Sequence, residues 1–133
     1  MIKGLDHIGF AVSNLEESAA RWNDLFGLRV TGSEDIRERG VRVVYLEGEG
    51  IPRLELVASL EQGSSVERFI RKRGEGIHHI CFEVEDIDAA MDKLRRRGVE
   101  FVQDNPVRGS EGSRIAFIQP RSSGGVLVEL KQK

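Results

Sequence analysis

The sequence predicts an α+β fold in which one βαβββ module occurs twice, in tandem, and bends a mixed sheet around a central cavity. Two observations carry this. Leu5-Asp6-His7-Ile8-Gly9-Phe10-Ala11-Val12 aligns with Ile77-His78-His79-Ile80-Cys81-Phe82-Glu83-Val84 at a constant offset of 72. The order of element signals then repeats in each half, closing on Leu54-Glu55-Leu56 and on Val128-Glu129-Leu130. A period so long is one module present twice rather than a solenoid repeat.

Each module opens with an alternating strand, Leu5 to Val12 and Ile77 to Val84. A helix follows. Asn14 and Asp86 are N-cap residues, and Glu16, Glu17 and Asp88 sit in first turns, where the helix dipole favours negative charge. Leu15, Ala19, Trp22 and Phe26 line one apolar stripe, and Ile87, Ala90, Met91 and Leu94 line the other. Gly27 and Gly98 are the stops. Three strands complete each copy: Leu28 to Thr31, Val41 to Glu47 and Arg53 to Ala58, then Val99 to Gln103, Arg114 to Gln119 and Val126 to Lys131. The expected layout is therefore one domain over residues 1–133, with modules at 1–60 and 77–133 joined by a surface linker at 61–76. Arg68, Arg71, Lys72 and Arg73 make that linker the densest basic stretch, and it reads as a solvated helix face.

Composition bounds the function classes. At 133 residues the chain is long enough for a core without covalent staples. A balance of 20 basic against 22 acidic side chains gives no reason to expect nucleic acid or a membrane surface as partner. Cys81 is the only cysteine, which fits a reducing compartment, and no apolar run approaches a bilayer span. The expected location is cytoplasmic.

Strand parity selects the chemistry-bearing residues. Ile8, Phe10 and Val12 share a face with each other, as do Ile80, Phe82 and Val84; these are the helix-facing sets. His7 and His79 lie on the opposite faces. Glu55 and Glu129 likewise oppose the leucines and valine that flank them. Singly, each residue would read as an ordinary satisfied side chain. A His and a Glu recurring at matched places with the same parity suit a divalent metal held by His7, Glu55, His79 and Glu129. His78 has the wrong parity for this set.

These features resemble the vicinal oxygen chelate (glyoxalase-like) superfamily. Within it, Gly76-Ile77-His78-His79-Ile80, Arg114 to Pro120 and above all Gly124-Gly125-Val126-Leu127-Val128-Glu129-Leu130 are similar to the methylmalonyl-CoA epimerase family. The resemblance implies inversion at C2 of an acyl-CoA through an enolate, stabilised by one divalent ion (cobalt, manganese, nickel or zinc) on the four residues named, in a homodimer. It also departs from the family. Some members carry a catalytic glutamate where Val43 stands here, and a glutamine where Glu55 stands. Inversion needs two proton carriers flanking the carbon. Glu129 is the first candidate and Glu55 the second; Arg114, Arg37 and Arg39 are candidates for the coenzyme A phosphates. The rival readings are a glyoxalase I-like enzyme acting on a glutathione hemithioacetal, and a non-catalytic binding protein of the same fold.

Overall fold

A computed structural model describes all 133 residues. The elements are β1 (Ile2–Ala11), α1 (Leu15–Phe26), β2 (Arg29–Ile36), β3 (Val41–Glu47), β4 (Arg53–Ser59), α2 (Ser65–Arg73), β5 (Gly76–Val84), α3 (Ile87–Arg96), β6 (Val107–Arg108), β7 (Arg114–Ile118) and β8 (Val128–Gln132). No helix is long and apolar enough to cross a membrane. The chain divides into two compact units, His7–His78 and Met1–Asp6 with His79–Lys133, so the divisions fall inside β1 and β5.

In the unit His7–His78 the strand order is β2-β3-β4-β1, with β1 parallel to β4 and the other pairs antiparallel. The capping chemistry expected for α1 is present: the Glu17 N–H donates to Asn14 Oδ1, and Gly27 takes the left-handed conformation that ends the helix (φ 69°). Ile8, Phe10, Leu15, Ala19 and Trp22 pack with Leu46, Leu54 and Leu56 between helix and sheet. The opposite sheet face is not bare. Val66 of α2 is fully buried there with Ala11, Val41, Val43 and Val57, and Phe69 and Ile70 join them. The expected surface linker is thus a packed helix whose apolar side seals part of the face carrying His7. Its basic side stays outward, with Arg71 paired to Glu67 four residues earlier and Arg73 over the Phe69 ring.

The second unit repeats the plan in the order β5-β8-β7-β6, with β5 parallel to β8. Asp86 caps α3 through the Ala89 N–H, and Ile87, Ala90 and Met91 pack on Ala116, Ile118, Val128 and Leu130. One expected strand is different. Val99 to Gln103 forms only a single bridge, Phe101 to Ile118. The Phe117 N–H donates to the side chain of Gln103 rather than to a ladder carbonyl, and Arg95 donates to the Gln103 and Asp104 carbonyls. With these groups diverted, pairing to β7 stops and resumes as the two-residue β6. β2 errs the other way, running five residues past its expected end at Thr31 to Ile36.

Candidate functional site

Each unit holds one buried imidazole–carboxylate pair. In the first, β1 and β4 run parallel with His7 opposite Arg53 and Gly9 opposite Glu55, so His7 and Glu55 share a face two residues apart in register. His7 Nδ1 lies 3.1 Å from Glu55 Oε2, and the two residues are 1% and 3% exposed. In the second unit, His79 Nε2 lies 3.1 Å from Glu129 Oε1, with both side chains buried. Cys81 and Phe117 are the strand neighbours of Glu129, and the Phe117 ring stands edge-on to His79 at 5.7 Å, which fixes the plane of that imidazole.

The remaining residues singled out by sequence fall as follows. His78 packs edge-on against Phe69 of α2 at 4.9 Å, inside the first unit. Val43 is buried beneath α2. Arg114 is held by Asp88 of α3 in two contacts of 2.8 and 3.1 Å, on the helix side of its sheet. That guanidinium keeps the Asp88 carboxyl below its ordinary value. Arg37 approaches Asp35 at 3.7 Å.

One residue on these faces escaped sequence reasoning, and another, Tyr45, shares the parity of Val43 in sequence without being an obvious substitute for the missing glutamate. Lys131, two positions beyond Glu129 and so on its face, is 1% exposed and meets Asp6 at 3.2 Å and Glu111 at 3.7 Å. Its parity with Glu129 was the available signal, but a lysine in a terminal strand ordinarily reads as solvated. Beside Glu55 stands its strand partner Tyr45, whose ring carries the Arg53 guanidinium at 4.5 Å and whose hydroxyl donates to Glu34 Oε1 at 2.8 Å.

The donor set fits a divalent ion. Two donors about 2.1 Å from one ion and at right angles lie about 3 Å apart, and both pairs show that separation. Imidazole and carboxylate suit first-row divalent metals.

Comparison with known proteins identifies the family. Residues 6–117 match the Glyoxalase/Bleomycin resistance protein/Dioxygenase superfamily. The ethylmalonyl-CoA/methylmalonyl-CoA epimerase of Cereibacter sphaeroides is 37% identical over 99% of both chains. Methylmalonyl-CoA epimerase from Mycobacterium tuberculosis superimposes with TM-score 0.94 at 36% identity, covering 98% of this chain and 88% of that one. A Streptomyces coelicolor methylmalonyl-CoA epimerase variant in complex with 2-nitronate-propionyl-CoA gives TM-score 0.95 at 35% identity, covering 100% and 99%. On a fold shared with those solved structures and an identity that runs nearly the whole length of the Cereibacter enzyme, the chain belongs to the methylmalonyl-CoA epimerase family of the glyoxalase superfamily.

Proposed function

We propose that this protein inverts C2 of methylmalonyl-CoA, and that His7, Glu55, His79 and Glu129 together hold one divalent ion for that reaction. The observation that carries the reading is the matched pair: one buried histidine and one buried glutamate, 3.1 Å apart, in each unit of an epimerase-family chain. A single such contact is also the length of a hydrogen bond. Its recurrence at equivalent strand positions is what favours a ligand set.

When bound, the ion would supply a Lewis acid for the thioester carbonyl oxygen, worth several kcal/mol as charge develops there. The protein does the rest. Its two His/Glu pairs are buried, and Phe117 stands edge-on to the His79 ring. Glu129 is the proton carrier on one side of C2; a second must stand on the other. Cobalt, manganese, nickel and zinc all match the donor types. A cytoplasmic homodimer is the working assembly consistent with this role.

The test is epimerisation of methylmalonyl-CoA with deuterium uptake at C2 in heavy water, before and after chelation, alongside metal analysis of the purified protein. Activity that falls with the chelator and returns with a divalent metal is the expected result. Full activity in metal-free protein would remove the ion from the scheme, and no turnover in the metal-loaded protein would remove the substrate.

A further inference from the structure

We infer that Arg53 of β4, stacked on Tyr45, recognises the carboxylate that distinguishes a malonyl-type thioester from an ordinary acyl thioester. This rests on the epimerase reading above and deepens it by naming a residue that selects the substrate. Along β4, Arg53, Glu55 and Val57 share one face, because Leu54, Leu56 and Ala58 pack on the face that carries α1. Their neighbours on β1 are His7, Gly9 and Ala11. One end of this face is sealed, since Val66 of α2 is buried with Ala11, Val43 and Val57. Arg53 begins the strand at the other end, half-buried and preceded by the exposed Ile51 and Pro52. From that end inward come a guanidinium, then the buried His7/Glu55 pair, then an apolar wall.

The guanidinium is held in place. It lies 4.5 Å from the centroid of the Tyr45 ring, and Tyr45 itself is buried with the cluster beneath α2. The Tyr45 hydroxyl donates to Glu34 Oε1 at 2.8 Å, which orients the ring. Gly32, its strand partner, gives that ring its space, since a Cβ there would come within 3.2 Å of Tyr45 Cδ2. Stacking covers a face of the guanidinium and leaves its in-plane N–H donors for other partners. A planar fork so oriented matches a carboxylate through two parallel N–H···O bonds.

The spacing suits a malonyl group. In backbone terms Arg53 stands beside His7 at about 4.8 Å and along the strand from Glu55 at about 6.6 Å. The carboxylate and the thioester carbonyl of such a substrate are attached to the same carbon, C2. Holding one at Arg53 and the other at the His7/Glu55 pair therefore fixes C2 between them. A substrate carboxylate arriving beside Glu55 would otherwise meet like charge, and the guanidinium supplies the opposite sign there.

Wild type, Arg53→Met, Arg53→Lys and Tyr45→Leu, each checked for folding by circular dichroism, would be titrated calorimetrically with methylmalonyl-CoA and with propionyl-CoA, which lacks the carboxylate. Wild type should bind methylmalonyl-CoA about 10- to 150-fold more tightly, the worth of hydrogen bonds to a charged group. Arg53→Met should bring the two affinities within about threefold of each other. Arg53→Lys keeps the charge but loses the fork, and Tyr45→Leu keeps the fork but loses its platform, so both should show a smaller preference than wild type. If Arg53→Met fails to fold, the comparison with Arg53→Lys decides. In epimerisation, kcat/KM of Arg53→Met should fall equally for methylmalonyl-CoA and for methylmalonyl-pantetheine, which has no phosphates. A wild-type preference retained in the Arg53 variants, or a loss confined to the coenzyme A thioester, overturns the assignment. A wild type that prefers methylmalonyl-CoA in binding yet never epimerises it would sink the epimerase reading and leave the carboxylate assignment standing.

Discussion

Replacing Lys131 by methionine should destabilise the protein by about 2–3 kcal/mol. Lys131 is almost completely buried, and its ammonium meets Asp6 at 3.2 Å and Glu111 at 3.7 Å. Removing one partner of a buried ion pair costs about 3–5 kcal/mol, because the other charge is left without compensation in a poorly solvating site. The cost falls to the bottom of that range and below it here, since Asp6 keeps a second contact to Lys133 at 3.2 Å. Unfolding entropy near 60 °C is about 2.1 cal/mol/K per residue, so for 133 residues the slope is about 0.28 kcal/mol per degree and the loss is about 7–11 °C in Tm. Melting followed by circular dichroism, with urea titration at neutral pH, reads both quantities. Asp6→Leu combined with Lys131→Met should recover at least about 1 kcal/mol of that loss, since apolar replacement of a whole buried pair is close to neutral. A Lys131→Met protein within about 0.5 kcal/mol of wild type, or a double variant less stable than Lys131→Met alone, would refute the reasoning.

Met91→Ala should cost about 2–5 kcal/mol in urea unfolding, because Met91 is 1% exposed in the core of the second unit. Phe117→Leu conserves an apolar side chain and should cost less than about 1.5 kcal/mol of stability. By freeing the His79 ring it should also weaken metal affinity about tenfold, measurable by competition with a coloured chelator. Asp88→Asn tests the surface electrostatics. The hydrogen bond from Arg114 lowers the Asp88 pKa in the folded state below its ordinary 3.8. The contribution is therefore present above that value and is lost as pH falls through the folded value. The Tm difference between Asp88→Asn and wild type should be constant above about pH 5 and vanish in stronger acid. A difference that widens below pH 4 would contradict the sign.

Much of the fold was legible because it rests on parity and caps. β3 runs from Val41 to Glu47 as expected, Asn14 and Asp86 cap their helices, and the two His/Glu pairs emerged from the internal repeat together with strand alternation. What stayed hidden depends on single irregular residues. Gly32-Ser33-Glu34-Asp35 is a polar run beyond the expected strand end at Thr31, and pairing to β3 holds it extended. The strand expected at Val99 to Gln103 fails because one glutamine side chain takes a backbone donor, which no periodicity reports. α2 carries a readable amphipathic pattern, but amphipathicity names no partner, and its burial against Val43 and Val57 is a tertiary outcome.

The interrupted pairing near Gln103 has a consequence for how the protein behaves when crowded. β6 closes the strand order of its unit, and an extended partner there would present a row of unsatisfied amides to any passing chain. Two paired residues preceded by Asp104, Asn105 and Pro106 offer almost no template for such recruitment. At the far end of the other unit's order, β2 carries a register shift between Val30 and Gly32 that interrupts the regularity of that border. An irregularity that spoils a clean repeat thus guards the molecule against fibrillar self-association at high concentration.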